Sequence, residues 1–198
     1  METGDKIREN FMAKVFKTAE TMYTESIGQI EEEFIQKESE IARSFAIPLF
    51  DGLKRYASLE WEKAVGELKY IYVSFLRTSI IAGSPNYRLD FYDDRNRCSL
   101  IECSEEWNFN YIFDFLKHID NSLKKMFKEQ TRVPEYELDN IIFELAEHYR
   151  KISDKKIDSV IKYMIENREE HIAFNHTVKI YVGDFLDKVS FVLDCDRL

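Results

Sequence analysis

Apolar residues in the first 45 positions fall at helical intervals. Ile7, Phe11, Val15, Met22, Ile27, Ile30, Phe34, Ile41 and Phe45 recur mostly three, four or seven apart, with Lys and Glu between them. Such a stripe predicts an amphipathic helix from about residue 5 to residue 45. Gly28 weakens its middle, so one long helix and a pair broken at residues 27–29 both fit. Pro48 and Asp51-Gly52 then predict a turn, followed by a short helix that continues through Trp61 to Glu67.

The densest apolar and aromatic run is 68–93, LKYIYVSFLRTSIIAGSPNYRLDFYD. Tyr70 to Ile81 are largely β-branched or aromatic, which suits a pleated, half-buried surface. A helix would also place Val65, Leu68, Tyr72, Phe75 and Ser79 on one face. The neighbouring turn at Gly83-Ser84-Pro85-Asn86 and the partial alternation of Tyr87 to Tyr92 favour a strand, and a second turn at 93–96 leads to a third segment at 98–102. The prediction is a small antiparallel meander.

Helical period returns at Trp107, Tyr111, Ile112, Phe115, Leu116, Ile119, Leu123, Met126 and Phe127, capped by Ser104 or a neighbour. Pro134 suits a first helical residue, and Leu138, Ile141, Ile142, Leu145 and Tyr149 form the next stripe. Ser153 or Asp154 would cap a third helix over 157–165. The end alternates: Val178, Ile180 and Val182, then a turn at 183–187, then Val189, Phe191 and Leu193, which predicts a hairpin. Lys179-Ile-Tyr-Val echoes Lys69-Tyr-Ile-Tyr-Val but is too short to be a repeat. The fold class that results is α+β and helix-dominated: a long N-terminal helix or helix pair, a small central antiparallel hairpin or meander, three helices and a C-terminal hairpin, with an all-α bundle as the alternative. Residues 1–198 read as a single domain, with 1–45 a helical extension.

Composition narrows the function classes. Six glycines and three prolines in 198 residues favour long helices over a many-turned sandwich. A net charge of −9 opposes a non-specific grip on nucleic acid or anionic lipid, both of which draw on Lys and Arg. The first ten residues lack an apolar h-region, no run reaches the roughly 18 to 20 apolar residues of a membrane span, and Cys98, Cys103 and Cys195 are an odd number with no paired spacing; a cytoplasmic protein with no membrane partner is expected.

Chemistry is sparse. Glu144, Glu147 and His148 on one predicted helix, with Glu170 and His171 on or after the next, have the residue types that hold a divalent metal ion and activate water in helical hydrolases. No HExxH, Cys-x-x-Cys or His-Asp pair sharpens that pattern, and 37 acidic residues produce such juxtapositions by chance. Asp51 with Glu67-Leu68-Lys69 offers a still weaker nuclease-like spacing. Phosphate loops and a nucleophile elbow are absent. The aromatic share of 14% is high, and tyrosine is favoured at partner surfaces. Tyr87, Arg88, Tyr92, Asp93 and Asp94, at the rim of the central run, are therefore the candidate binding residues.

The expected function is a non-catalytic, acidic protein-binding module without a cofactor, with an inhibitor or immunity-like protein for a basic partner as its most specific form. The competing expectation is a metal-dependent helical hydrolase acting on a nucleotide or nucleic acid, with a divalent metal ion as cofactor. Homodimerisation through the N-terminal helix is compatible with either.

Overall fold

The computed structural model describes residues 4–81, 85–130, 133–167 and 173–197. Helix α1 runs unbroken over Gly4–Trp61. Its buried positions, among them Met12, Val15, Ala19, Ile30, Phe34, Ile41, Phe45, Leu49, Leu53 and Tyr56, keep the three-and-four rhythm throughout. That stripe carries the helix past every expected break. Nothing lies within 4 Å of where a Gly28 side chain would begin, so this glycine weakens the helix without ending it. Pro48, which has no N–H for the ladder, sits inside the helix, and the expected turn at Asp51-Gly52 is helical too.

The remaining elements are strand β1 (Tyr70–Phe75), the short helix α2 (Arg77–Ile81), strand β2 (Asn86–Tyr92), a 3-10 turn at Asn96–Cys98, strand β3 (Ser104–Asn108), helix α3 (Asn110–Lys128), helix α4 (Tyr136–Asn167), and strands β4 (Ala173–Asp184) and β5 (Val189–Arg197). The fold is α+β: the central run is a meander of β1, β2 and β3, and the C-terminal hairpin joins it in one mixed sheet of order β3-β2-β1-β4-β5. Several details depart from the sequence reading. The helix expected to continue to Glu67 ends at Trp61, and the run expected to be strand through Ile81 is strand only to Phe75, with Arg77–Ile81 helical. The third strand is 104–108 rather than 98–102, and Trp107 faces the core from it. Two helices stand where three were expected, because the buried positions Leu138, Ile141, Ala146, Tyr149, Ser153, Ile157, Val160 and Met164 continue one period through the supposed cap at Ser153.

The chain clusters into two units. The first holds Met1–Gln36 and Asn110–Ile152. In it Phe11 meets Phe127 edge to face at 5.2 Å, Arg8 pairs with Glu137, and the buried hydroxyls of Ser26 and Tyr149 bond at 2.6 Å. The second holds Lys37–Phe109 and Ser153–Leu198, and therefore the whole sheet. One sheet face carries Ile71, Val73, Phe75, Tyr87, Leu89, Phe91, Val178, Ile180 and Val182, all buried. The later part of α1 packs on it: Phe45 meets Trp107 at 4.9 Å, the Trp107 indole N–H donates to Ser44 Oγ at 3.1 Å, and Gly52 lies against the Phe91 ring.

Candidate functional site

Strand alternation sends the other set of side chains to the second face of the sheet. In register across β2, β1, β4 and β5 stand Tyr92 opposite Tyr70, Asp90 opposite Tyr72 and Tyr72 beside Tyr181, while Tyr181 pairs with Phe191. The rings form a row. Tyr72 stacks on Tyr181 at 5.1 Å and 16°, Tyr92 stands edge-on to Tyr72 at 5.8 Å, and Phe191 stands edge-on to Tyr181 at 5.7 Å. Tyr72 is buried, Tyr70, Tyr92 and Tyr181 are half-buried, and Phe191 is 53% exposed.

Polar groups flank this row on the β2 side. Asp90 is 2% exposed, and Arg88 Nε donates to its Oδ1 at 2.7 Å while another nitrogen of Arg88 pairs with Glu102. The Arg88 guanidinium lies 5.0 Å from the centre of the Phe185 ring, and that of Arg97 lies 4.6 Å from the centre of Tyr72. Both are cation–π distances. The Asn96 amide donates to the Tyr72 hydroxyl at 3.0 Å. Burial pushes the Asp90 carboxyl above the ordinary range, and its bond to Arg88 only partly pulls it back. Burial likewise raises the Tyr92 phenol.

The five candidate binding residues divide. Arg88 and Tyr92 belong to this second face, and Asp94 is exposed in the turn after β2. Tyr87 is fully buried on the core face, where its hydroxyl bonds Ser153 Oγ at 2.7 Å and Asp154 Oδ1 at 3.0 Å. Asp93 is 1% exposed and ties the turn together: it accepts from the backbone N–H of Gly66 at 2.9 Å and of Arg95 at 3.0 Å, and from Arg95 Nε at 2.9 Å. Parity explains Tyr87, which is one residue out of phase with Arg88 and so points the other way.

The Arg95 hydrogen bond, aided by the backbone donors, holds the Asp93 carboxyl below its ordinary range. A carboxyl lowered in the folded state stabilises the fold above its unfolded pKa, and that contribution is lost as pH falls through the folded value. Asp93→Asn is therefore expected to lower unfolding free energy by about 1–3 kcal/mol at pH 7. The gap from the parent should shrink as denaturant titrations are taken below a pH of about 3.9; a gap that is constant with pH would contradict this account.

The hydrolase candidates are only partly placed. Glu144 and His148 are exposed on α4, with the His148 ring 5.7 Å from Tyr23, and Glu147 accepts from Arg150 Nε at 3.3 Å. Glu170 and His171 lie outside the described residues. Among the described residues no group of three or more His, Cys, Asp or Glu side chains could hold a metal ion, and no helix is long and apolar enough to cross a membrane. In the weaker nuclease-like spacing, Lys69 Nζ pairs with Glu67 at 3.2 Å, and Asp51 lies 3.8 Å from Lys54.

Sequence reasoning passed over Tyr72, Tyr181, Phe191, Asp90, Arg97 and Glu102. One signal was available. The two Ile-Tyr-Val triplets that looked too short to matter are parallel neighbours in register, Ile71 with Ile180, Tyr72 with Tyr181 and Val73 with Val182. No protein-family model, no curated protein and no solved structure matches this chain.

Proposed function

We propose that the protein is a non-catalytic binding module for a protein partner of basic character, an inhibitor- or immunity-like protein whose contact surface is the aromatic second face of the sheet. The observation that carries this reading is Phe191, half out in solvent at the end of a row of tyrosines, with the exposed carboxylates Asp194 and Asp196 further along the same strand. Aromatic anchors supply most of the energy at protein interfaces, while charge around them chooses the partner and speeds encounter. The chain's −9 charge selects basic partners.

The test is a peptide-display selection against the full chain from a library balanced in acidic and basic residues. Enriched peptides should combine Lys or Arg with apolar residues. Phe191→Asp should weaken them by roughly 30-fold, as loss of a central anchor does. Enrichment of acidic peptides, or binders indifferent to Phe191→Asp and Tyr181→Ala, would overturn the proposal.

A further inference from the structure

Strand β5 closes the sheet on one side, and among the described residues no strand pairs with its outer edge. Nine residues form it, against five in β3 at the opposite side. An edge strand presents unpaired backbone donors and acceptors, and proteins guard such edges with charges, bulges or short length. The β3 edge is short and carries Glu105 and Glu106. The longer β5 edge has a register irregularity, because Ile180 pairs with Leu193 while Tyr181 pairs with Phe191, leaving Val192 as the extra residue. Beyond it come Asp194 and Asp196, two residues apart and both exposed. Asp196 accepts from Thr177 Oγ1 at 3.0 Å on β4, and Asp194 stands opposite Lys179 in register.

We infer that β5 accepts a strand from a basic partner, which the protein adds to its sheet by main-chain hydrogen bonds. This rests on the protein-binding reading above and names how the partner is held. Strand addition obtains its affinity from the backbone and its specificity from alternate side chains. On β5 the alternate positions toward the aromatic face offer an exposed ring and then two carboxylates, so the complementary strand carries Lys or Arg at every second position, one cation over the Phe191 ring and the next two beside Asp194 and Asp196. A second copy of this chain fits worse. Antiparallel pairing of two β5 strands about Leu193 makes the two Asp194 carboxylates diagonal neighbours, and pairing about Cys195 sets Asp194 of each copy directly opposite Asp196 of the other; like charges across strands repel.

The probe is a ten-residue peptide alternating Lys and Val, compared by titration with one of identical composition in two blocks, Lys5Val5, and with an alternating Glu-Val peptide. Amide hydrogen exchange is read on the full chain. The alternating Lys-Val peptide should bind with one site per chain and slow the exchange of amides within 189–196. Its affinity should fall by about tenfold or more in Asp194→Lys/Asp196→Lys, a surface variant that leaves the core untouched. Equal binding of the block peptide would reduce the effect to bulk charge and overturn the inference. So would binding without protection of β5, or β5 protection that appears with protein concentration alone and marks a dimer. The protein-binding reading is judged separately, by the response of display-selected peptides to Phe191→Asp.

Discussion

Arg88→Ala is expected to cost about 3 kcal/mol of unfolding free energy at pH 7, because it leaves the Asp90 carboxylate buried without its partner. The side chain of Asp90 is 3% exposed and that of Arg88 is 22% exposed, so water can replace the guanidinium only in part. Acidity supplies the distinguishing signature. The Asp90 carboxyl is already raised by burial, and loss of Arg88 raises it further. A carboxyl raised in the folded state contributes stability below its unfolded pKa that is lost as pH rises through the folded value. The variant should therefore regain stability relative to the parent as pH is lowered from 7 toward 5. Arg88→Ala/Asp90→Asn should recover much of the loss at pH 7, since the buried charge is gone from both states. Denaturant titrations of the parent, both single variants and the double variant give the coupling directly. A pH-independent loss with no recovery in the double variant would mean that Arg88 acts through packing on Phe185 instead.

The second large effect lies on the core face. A side chain begun at Gly52 would place its first carbon 2.2 Å from Cε2 and 2.3 Å from Cζ of Phe91. That ring is 1% exposed and has no room to withdraw. Gly52→Ala is thus expected to destabilise by about 1–3 kcal/mol through overpacking, although alanine in a helix interior is favoured over glycine by about 1 kcal/mol. Gly28→Ala provides the contrast within the same helix. With nothing within 4 Å of the added carbon, it should stabilise by about 0.5–1 kcal/mol. Combining Gly52→Ala with Phe91→Leu should restore part of the loss, a non-additivity that identifies the contact. Two glycines giving the same sign would refute the steric account.

These two glycines also show how far local sequence can be read. Both look like punctuation, and neither punctuates. Gly28 is carried by the apolar stripe on either side of it, while Gly52 is required by a ring 39 positions further along the chain. The same holds for Ser153, which has the chemistry of a helix cap yet is buried in mid-helix with its hydroxyl bonded to Tyr87. Cap residues and turn residues are defined by what their side chains and backbone meet, and a distant partner can meet them first.

The candidate site was legible in part. Arg88 and Tyr92 were marked by their place at the rim of the central run, but Tyr87 and Asp93 were not separable from them, since a strand's facing depends on a phase that a short aromatic run does not display. Asp90, buried on the second face beside Arg88, could not be told from the exposed Asp94 by composition.

What the sequence alone determined is mostly periodic: the stripe of α1, the faces of α3 and α4 and the final hairpin follow from apolar spacing, because burying such a pattern requires a helix or a strand of matching period, while the first two strands of the meander follow from β-branched and aromatic content between turns. What only the tertiary structure decided is the joining of meander and hairpin through the parallel pairing of β1 with β4. That register sets Tyr72 beside Tyr181 and leaves Phe191 and the β5 edge at the side of the sheet. Parallel pairing links residues more than a hundred positions apart, and no local period encodes which strands will be neighbours.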